Sequence, residues 1–291
     1  DHRDLHSFPT RRSSDLPYVW VFGKFSTIDW ACQWSKTKKK TKPVPILVAF
    51  LVRKLIAATP KKSCALDPIL TPVIVGCIET LLPVITKIIN LLLQSGTFAD
   101  QWKCALVHPL LKKLGLDLVF QSFRPVSNLQ YISKLTEKAV FEQTHRHMIA
   151  NNIYPEFQSS YREHHSTETA LLRVMNDIFL KMNSQHVTLL VLLDLSAAFD
   201  TVDHNVMVER LAKDVGIQGM VLDWFRSYLS NRSQQVSIEG SLSKPFSLEC
   251  AVPQGSCLGP VVCYLHLFTV QGYRAPSTAS TLLCRRHSSL S

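Results

Sequence analysis

The hydrophobic positions of the chain include one dense run at residues 187–193, VTLLVLL, in which six of the seven side chains are apolar. Such a run is typical of a strand covered on both faces, because a half-exposed strand alternates apolar and polar positions. The run ends at Asp194, and small residues, Phe199 and Asp200 follow. A carboxylate at the end of a buried strand is unfavourable unless something binds it, and a metal ion is the usual partner. The pattern predicts a buried strand that ends at a metal-binding acid.

Other segments have helical or strand spacing. Thr71 and Pro72 open a predicted helix that runs to about Gln94 and stops at Gly96. Polar residues and a proline interrupt its apolar sequence and leave one apolar face, so we expect a core helix and no membrane partner. Further predicted elements are a strand at 105–111, a helix at Tyr131–Ala150, and a capped helix start at 166–169.

Composition narrows the range of partners. The 291 residues are 46% hydrophobic, which is enough for the core of one large domain or two ordinary ones. The 32 Lys and Arg residues exceed the 22 Asp and Glu residues and give a formal charge of +10. That charge favours a polyanionic partner such as nucleic acid or an anionic membrane face, although a merely solvated basic surface explains it equally well.

The eight cysteines are scattered without a C-x-x-C pair, so the sequence indicates neither a zinc module nor a disulfide framework. We interpret them as reduced thiols and expect an intracellular location, in the nucleus or the cytoplasm.

The first 57 residues differ from the rest. Residues 1–16, DHRDLHSFPTRRSSDL, lack any period and resemble translated sequencing-adapter DNA, so we exclude them from the fold as an artefact. Residues 17–57 combine aromatic residues with a lysine run. Such a segment can bind single-stranded nucleic acid, but nothing fixes its geometry, and we interpret it as poorly ordered or derived from noncoding DNA.

Seven sequence blocks then follow in order: KSCALDP, PLLKK, FRPVSNL, FQSSYREHHSTETALLRV, LLDLSAAFDTVDH, WFRSYLSNR and VPQGSCLGP. Over residues 58–265 their order and spacing resemble the reverse transcriptase of animal non-LTR (LINE-type) retrotransposons, most closely the chicken-repeat-like lineages. The resemblance implies RNA-templated DNA synthesis with an RNA template, a DNA primer and deoxynucleoside triphosphates.

The resemblance also implies an α+β fold, the fingers and partial palm of a right-handed polymerase. It would consist of a small antiparallel sheet with helices on one face. Residues 58–118 would form a helical N-terminal extension and residues 119–265 incomplete fingers and palm.

The family's site residues map onto the matching blocks. Asp194 takes the position of the first metal-binding aspartate, for Mg²⁺ or Mn²⁺, whereas the alternative role of helix cap suits Asp200 or Ser196 better. Phe199 takes the position of the aromatic residue under the incoming sugar; a core phenylalanine is the alternative.

The remaining implied contacts are with nucleotide and nucleic acid. Gln254 and Gly255 belong to the loop that contacts the incoming nucleotide and the template base. Arg124, on extended backbone before a proline, would bind the triphosphate. Lys134 and Arg162 are weaker candidates for template or phosphate contact, and a solvated surface role suits both as well.

The sequence departs from the family at its second catalytic motif, Tyr-Ala-Asp-Asp. No aspartate follows Asp223, and Glu239 and Glu249 are the only later acids. One carboxylate cannot hold two catalytic cations, so we expect an inactive polymerase fragment. The alternatives are a non-enzymatic nucleic-acid-binding remnant and a pseudogene product with no stable fold.

The missing motif has a candidate explanation in residues 266–291, which we interpret as out-of-frame. If Leu283 is encoded TTA, suitable codons up to His287 read Tyr-Ala-Asp-Asp when shifted by one base. A genomic Leu283 codon that does not begin with T and end with A would exclude this explanation.

Overall fold

The computed structural model describes residues 47–154, 158–190 and 198–268. The helices are α1 Ala49–Ala57, α2 Thr71–Gly76, α3 Ile78–Ser95, α4 Tyr131–Ala150, α5 Thr167–Asn183, α6 His204–Lys213, α7 Gly219–Leu229 and α8 Gly259–Phe268. The strands are β1 Cys104–Leu111, β2 Phe123–Asn128, β3 Arg232–Ile238, β4 Ser241–Leu242 and β5 Phe246–Leu248.

The strands form one sheet in the order β2-β1-β3-β4, and β5 also pairs with β3. Strands β1 and β2 are antiparallel, with Leu106 opposite Asn128 and Leu111 opposite Phe123. Strands β1 and β3 are parallel. The predicted antiparallel sheet is therefore wrong at this pair. The cause lies in the connection, because strand β2 and the four helices α4 to α7 separate β1 from β3, and a long connection can return a strand in the parallel direction.

The helices pack around one hydrophobic core. On α3 the buried side chains are Leu82, Ile85, Ile89 and Leu93, whose spacing places them on one helical face. They belong to the same core cluster as residues of α1, α4, α6, α7 and α8. At one end of this core Phe98 makes edge-on contacts with three aromatic rings, those of Trp102, Trp224 and Tyr228.

The predicted helix from Thr71 is correct in extent but is broken in two at Cys77. The residue before the break is Gly76, and glycine loses more conformational freedom in a helix than any other residue. The second part ends at Ser95, and Gly96 adopts the left-handed conformation with φ 65°. The stop signal at Gly96 is confirmed. Of the described helices, only α3 is long and apolar enough to span a membrane, and its buried face packs in the core.

The predicted buried strand at 187–193 is wrong over residues 187–190. These residues form no strand, and Val187 and Leu189 are 99% and 86% exposed. No described strand pairs with them, so their backbone groups have no sheet partner within the described residues. The rest of the run and Asp194 lie outside the described residues.

Two of the predicted segment boundaries lie within the described residues. Residues 47–57, in the segment interpreted as poorly ordered, contain helix α1, and Val52, Leu55 and Ile56 are buried in the core. Residues 1–46 lie outside the described part of the chain. Strand β1, in the segment interpreted as a helical extension, pairs with both β2 and β3, so the sheet continues across position 118.

Adjacent isoleucines on α3 provide a test of this core. Ile89 is fully buried and Ile88 is 39% exposed. We expect Ile89→Ala to lower the free energy of unfolding by about 2–5 kcal/mol, because it leaves a cavity, and Ile88→Ala to lower it by less than about 1 kcal/mol. Urea unfolding followed by circular dichroism measures both changes. Equal losses in the two variants would show that α3 does not pack as described.

Candidate functional site

The site is built around the loop at residues 252–260, which lies directly on strand β2. The Ser127 amide donates a hydrogen bond to the Gln254 carbonyl oxygen at 2.9 Å. The next residue, Gly255, has φ 142°, and a β-carbon there would lie 2.5 Å from the Ser127 carbonyl oxygen. No side chain fits in that space. The motifs FRPVSNL and VPQGSCLGP, which are far apart in the sequence, are therefore joined backbone to backbone.

The far end of the loop is fixed by three hydrogen bonds. The Cys257 amide donates to Oε2 of Glu137 at 2.8 Å, and the Ser256 amide donates to the Pro253 carbonyl at 3.1 Å. The Gly259 amide donates to Oγ of Ser256 at 2.8 Å, at the start of α8. Glu137 could not be predicted as part of the site, since nothing in the local sequence links it to this loop.

The segment at residues 198–202 lies beside the loop. The Val252 amide donates to the Phe199 carbonyl at 2.9 Å, and the Ala251 amide donates to the Val202 carbonyl at 2.8 Å. A β-carbon on Gly259 would lie 3.1 Å from Cε1 of Phe199, so the ring rests against the start of α8. Phe199 is half-buried and packs against the core, which leaves both of its predicted roles open.

Two polar atoms of the predicted site residues are buried and have no hydrogen-bond partner among the described residues. They are Nε of Arg124 and Oε1 of Gln254. Arg124 lies on β2 three residues before Ser127, a separation of about 10 Å along a strand. Buried polar groups in folded proteins are nearly always paired, so these two atoms are candidates for ligand contact. One is a donor and the other an acceptor, which suits a ligand that carries both kinds of group.

The structure brings Lys134 to this site and leaves Arg162 elsewhere. Burial raises the pKa of the Cys257 thiol to about 12, whereas the ammonium groups of Lys138 and Lys134 lower this pKa. Both lysines therefore lie near the loop. Arg162 donates to the Gln158 carbonyl at 2.9 Å and lies over the ring of Tyr154. It is close to His145, about 16 Å along α4 from Lys134.

The predicted metal ligand Asp194 lies outside the described residues, so its role stays a prediction. Within the described ranges no group of three or more His, Cys, Asp or Glu side chains could hold a metal ion. The described residues therefore do not by themselves fit a metal site. The helix cap assigned to Asp200 or Ser196 is instead Asp203, whose Oδ1 accepts the Val206 amide at 2.9 Å. Asp200 lies in the turn that precedes α6.

The acid of the KSCALDP block has a structural position. Asp67 accepts the Cys64 amide at 2.6 Å and the Tyr131 amide at 2.7 Å. Tyr131 is the first residue of α4, so Asp67 satisfies one of the unpaired amides at that helix start. The block thereby fixes the helix that carries Lys134 and Glu137.

The fold and this site define a mixed helix-and-sheet protein with a glycine loop fixed on a strand. Residues 111–271, more than half of the chain, match the family described as "Reverse transcriptase (RNA-dependent DNA polymerase)", and the chain belongs to this family. Its similarity to insect non-LTR elements further identifies it as the reverse transcriptase domain of a LINE-type element, which confirms the resemblance read from the motif blocks.

Three relatives illustrate the similarity, all from Drosophila melanogaster. "Probable RNA-directed DNA polymerase from transposon BS" is 28% identical over 75% of this chain and 24% of its own length. "Probable RNA-directed DNA polymerase from transposon X-element" is 30% identical over 62% of this chain and 20% of its own length. "RNA-directed DNA polymerase from mobile element jockey" is 27% identical over 72% of this chain and 23% of its own length. The chain thus spans a fifth to a quarter of the length of these relatives.

Two glycines allow a test of the loop contact. Gly255→Ala places a methyl group against the Ser127 carbonyl, whereas Gly240, which also has a positive φ, of 82°, has no atom within 4 Å of an added β-carbon. We expect Gly255→Ala to lower the free energy of unfolding by about 1–3 kcal/mol more than Gly240→Ala, because a backbone oxygen in a paired strand cannot move away easily. Urea unfolding measures both values. If the losses are equal, the loop does not lie on β2 as described.

Proposed function

We propose that this chain is part of an RNA-directed DNA polymerase and that the 252–260 loop on β2 contacts the incoming nucleotide. The observation that carries the proposal is a pair of buried atoms, Nε of Arg124 and Oε1 of Gln254, that have no hydrogen-bond partner in the described part of this reverse transcriptase family member. A guanidinium binds phosphate oxygens, and an amide can both donate to and accept from a nucleotide. The substrates would be an RNA template, a DNA primer and deoxynucleoside triphosphates.

The finer architecture follows the same proposal. The sheet and the helices packed beside it would be the fingers and partial palm of a right-handed polymerase, with an N-terminal helical extension over 58–118. Helices α2 and α3, which lie within 58–118 and contribute to the hydrophobic core, support that extension. The free thiols of the six described cysteines agree with an intracellular location, in the nucleus or the cytoplasm.

Each site residue has a proposed contact. Arg124 binds the triphosphate, and Gln254 and Gly255 contact the nucleotide and the template base. Phe199 lies under the sugar of the incoming nucleotide, where its contact with the start of α8 keeps it beside the loop. Lys134, beside Cys257, is better placed for a phosphate contact than Arg162, whose guanidinium is engaged by Gln158 and Tyr154.

We further propose that the chain as written does not polymerise nucleotides. Asp194 would bind Mg²⁺ or Mn²⁺, the cations that support phosphoryl transfer in this family. Two cations at catalytic spacing need several carboxylates, and no aspartate follows Asp223. The chain's own residues would then still bind and orient a nucleotide without completing the reaction.

Primer extension tests this proposal. We expect the full chain to give no template-dependent product with an RNA template, a DNA primer and all four deoxynucleoside triphosphates, in Mg²⁺ or in Mn²⁺, because the metal ligands are incomplete. An active reverse transcriptase on the same substrate is the positive control. Template-dependent synthesis that disappears in Asp194→Asn would overturn the proposed inactivity and would exclude a contaminating polymerase.

A non-enzymatic nucleic-acid-binding remnant is the second candidate, favoured by the formal charge of +10. Its affinity would come from lysine and arginine contacts with phosphates, which release counterions, so binding would weaken steeply with added salt.

Salt-dependent binding of an RNA–DNA duplex separates this candidate from a product without a stable fold. We expect Lys134→Gln to reduce the slope of log affinity against log salt by about 1, because it removes one phosphate contact. The exposed Lys87 on α3 provides the control, and Lys87→Gln should leave the slope unchanged. Equal slopes in both variants would exclude Lys134 from the interface. A chain without a cooperative urea transition would support the absence of a stable fold.

A further inference from the structure

The charged side chain buried most completely in the described core is that of Glu137, on helix α4. It is 0% exposed. Oε2 accepts the Cys257 amide at 2.8 Å, and Oε1 accepts the hydroxyl of Ser133 at 3.3 Å. Its partner Cys257 lies 120 residues further along the chain, inside the 252–260 loop. The two oxygens therefore have hydrogen-bond donors from the helix itself and from the loop.

The polar surroundings of Glu137 offset part of the effect of its burial, but its pKa stays above the ordinary value. Burial raises the pKa of Glu137, whereas the guanidinium of Arg232, the amides of Cys257 and Leu258, and the Ser133 hydroxyl lower it. Arg232 is itself 1% exposed and lies over the Tyr228 ring, 4.8 Å from its centroid. A buried carboxylate needs such compensation, since an unpaired charge in a core is strongly unfavourable.

The position of Glu137 relative to the loop distinguishes it from an ordinary core residue. The loop has one attachment at Ser127 on β2 and the other at Glu137 on α4. Gln254, Gly255 and Ser256 lie between these two attachments. Without the attachment at Glu137, the loop would be held only at its first residues, by β2 and the Phe199 carbonyl, and the orientation of Gly255 and Ser256 would be less restricted.

We infer that Glu137 is a positioning residue, whose carboxylate fixes the amides at the end of the loop so that Gln254 and Gly255 are held ready for the incoming nucleotide. The inference rests on the proposed nucleotide-binding function of this loop. Glu137 does not touch the nucleotide itself. A hydrophobic residue of similar volume could fill the same space in the core, but it could not accept the loop amides.

The first test measures the loop alone. In Glu137→Gln the side-chain volume is kept, but one oxygen becomes a donor that cannot accept an amide. We expect amide hydrogen exchange at Cys257 and Leu258 to accelerate by about tenfold, because a neutral amide has one acceptor oxygen instead of two and accepts more weakly than a carboxylate. The matched control is Glu142→Gln on the same helix, where the acid pairs with Arg146. Urea unfolding of both variants separates local opening from a loss of global stability.

The second test measures the nucleotide. For the full chain with an RNA–DNA primer–template and Mg²⁺, we expect Glu137→Gln to weaken binding of the matched deoxynucleoside triphosphate by about tenfold. Binding of the primer–template itself should stay within about twofold, because the buried Glu137 cannot touch it and most of that affinity comes from lysine and arginine contacts with phosphates. Glu142→Gln should change neither affinity. A purely structural role of Glu137 would instead weaken both affinities in proportion to the unfolded fraction.

The outcomes separate this inference from the proposed function. If the unaltered chain binds no nucleotide, the proposed function of the loop fails, and the positioning of bound nucleotide fails with it. The exchange measurement then still decides whether Glu137 orders the loop. If Glu137→Gln leaves loop exchange like that of Glu142→Gln, or accelerates exchange without weakening nucleotide binding, the positioning role is wrong. Because glutamine keeps the core volume, neither readout depends on a cavity-forming variant that fails to fold.

Discussion

Helix α4 is buried along most of its 20 residues, and each polar group that it carries into the core needs a partner. The first amide, that of Tyr131, binds Asp67, and Glu137 binds the Cys257 amide. Lys138 contacts the hydroxyl of Thr59, and His147 contacts the Val215 carbonyl at 2.8 Å. These partners come from the N-terminal segment, the α6–α7 connection and the 252–260 loop, so one helix brings three distant parts of the chain together.

The candidate site depends on this arrangement. The loop is fixed between α4 and β2, and β2 is in turn fixed by its pairing with β1. Arg124 therefore lies on a paired strand, and Gln254 lies between two backbone attachments. Groups held in this way lose little conformational freedom when a ligand binds, which is the advantage of placing a site on rigid elements.

The sequence was sufficient where a feature is local. Gly96 ends its helix, Ser166 caps α5 through a reciprocal pair of hydrogen bonds with Thr169, and α4 begins and ends at the predicted residues. It was insufficient where the partner is distant. Asp67 caps a helix that starts 64 residues later, and β1 pairs in parallel with a strand more than 120 residues away. No periodicity encodes such contacts. Residues 187–190 show a related error: their apolar run predicted a buried strand, but burial needs a partner strand, and these residues are exposed.

Helices α4 and α5 differ in how many of their residues are buried, and this difference separates the two halves of the predicted site. Helix α5 is nearly as long, at 17 residues, but only Ala170 is buried, and Leu172 and Phe179 are more than half exposed. The exposed residues 187–190 follow it and lead to Asp194. A helix with few buried contacts lies at the low end of local stability. The groups proposed for nucleotide binding are thus anchored by the core, whereas the chain that leads to the predicted metal ligand has little described packing to fix it. The residues proposed for nucleotide contact and the described chain that precedes the predicted metal ligand therefore differ in how firmly the core holds them.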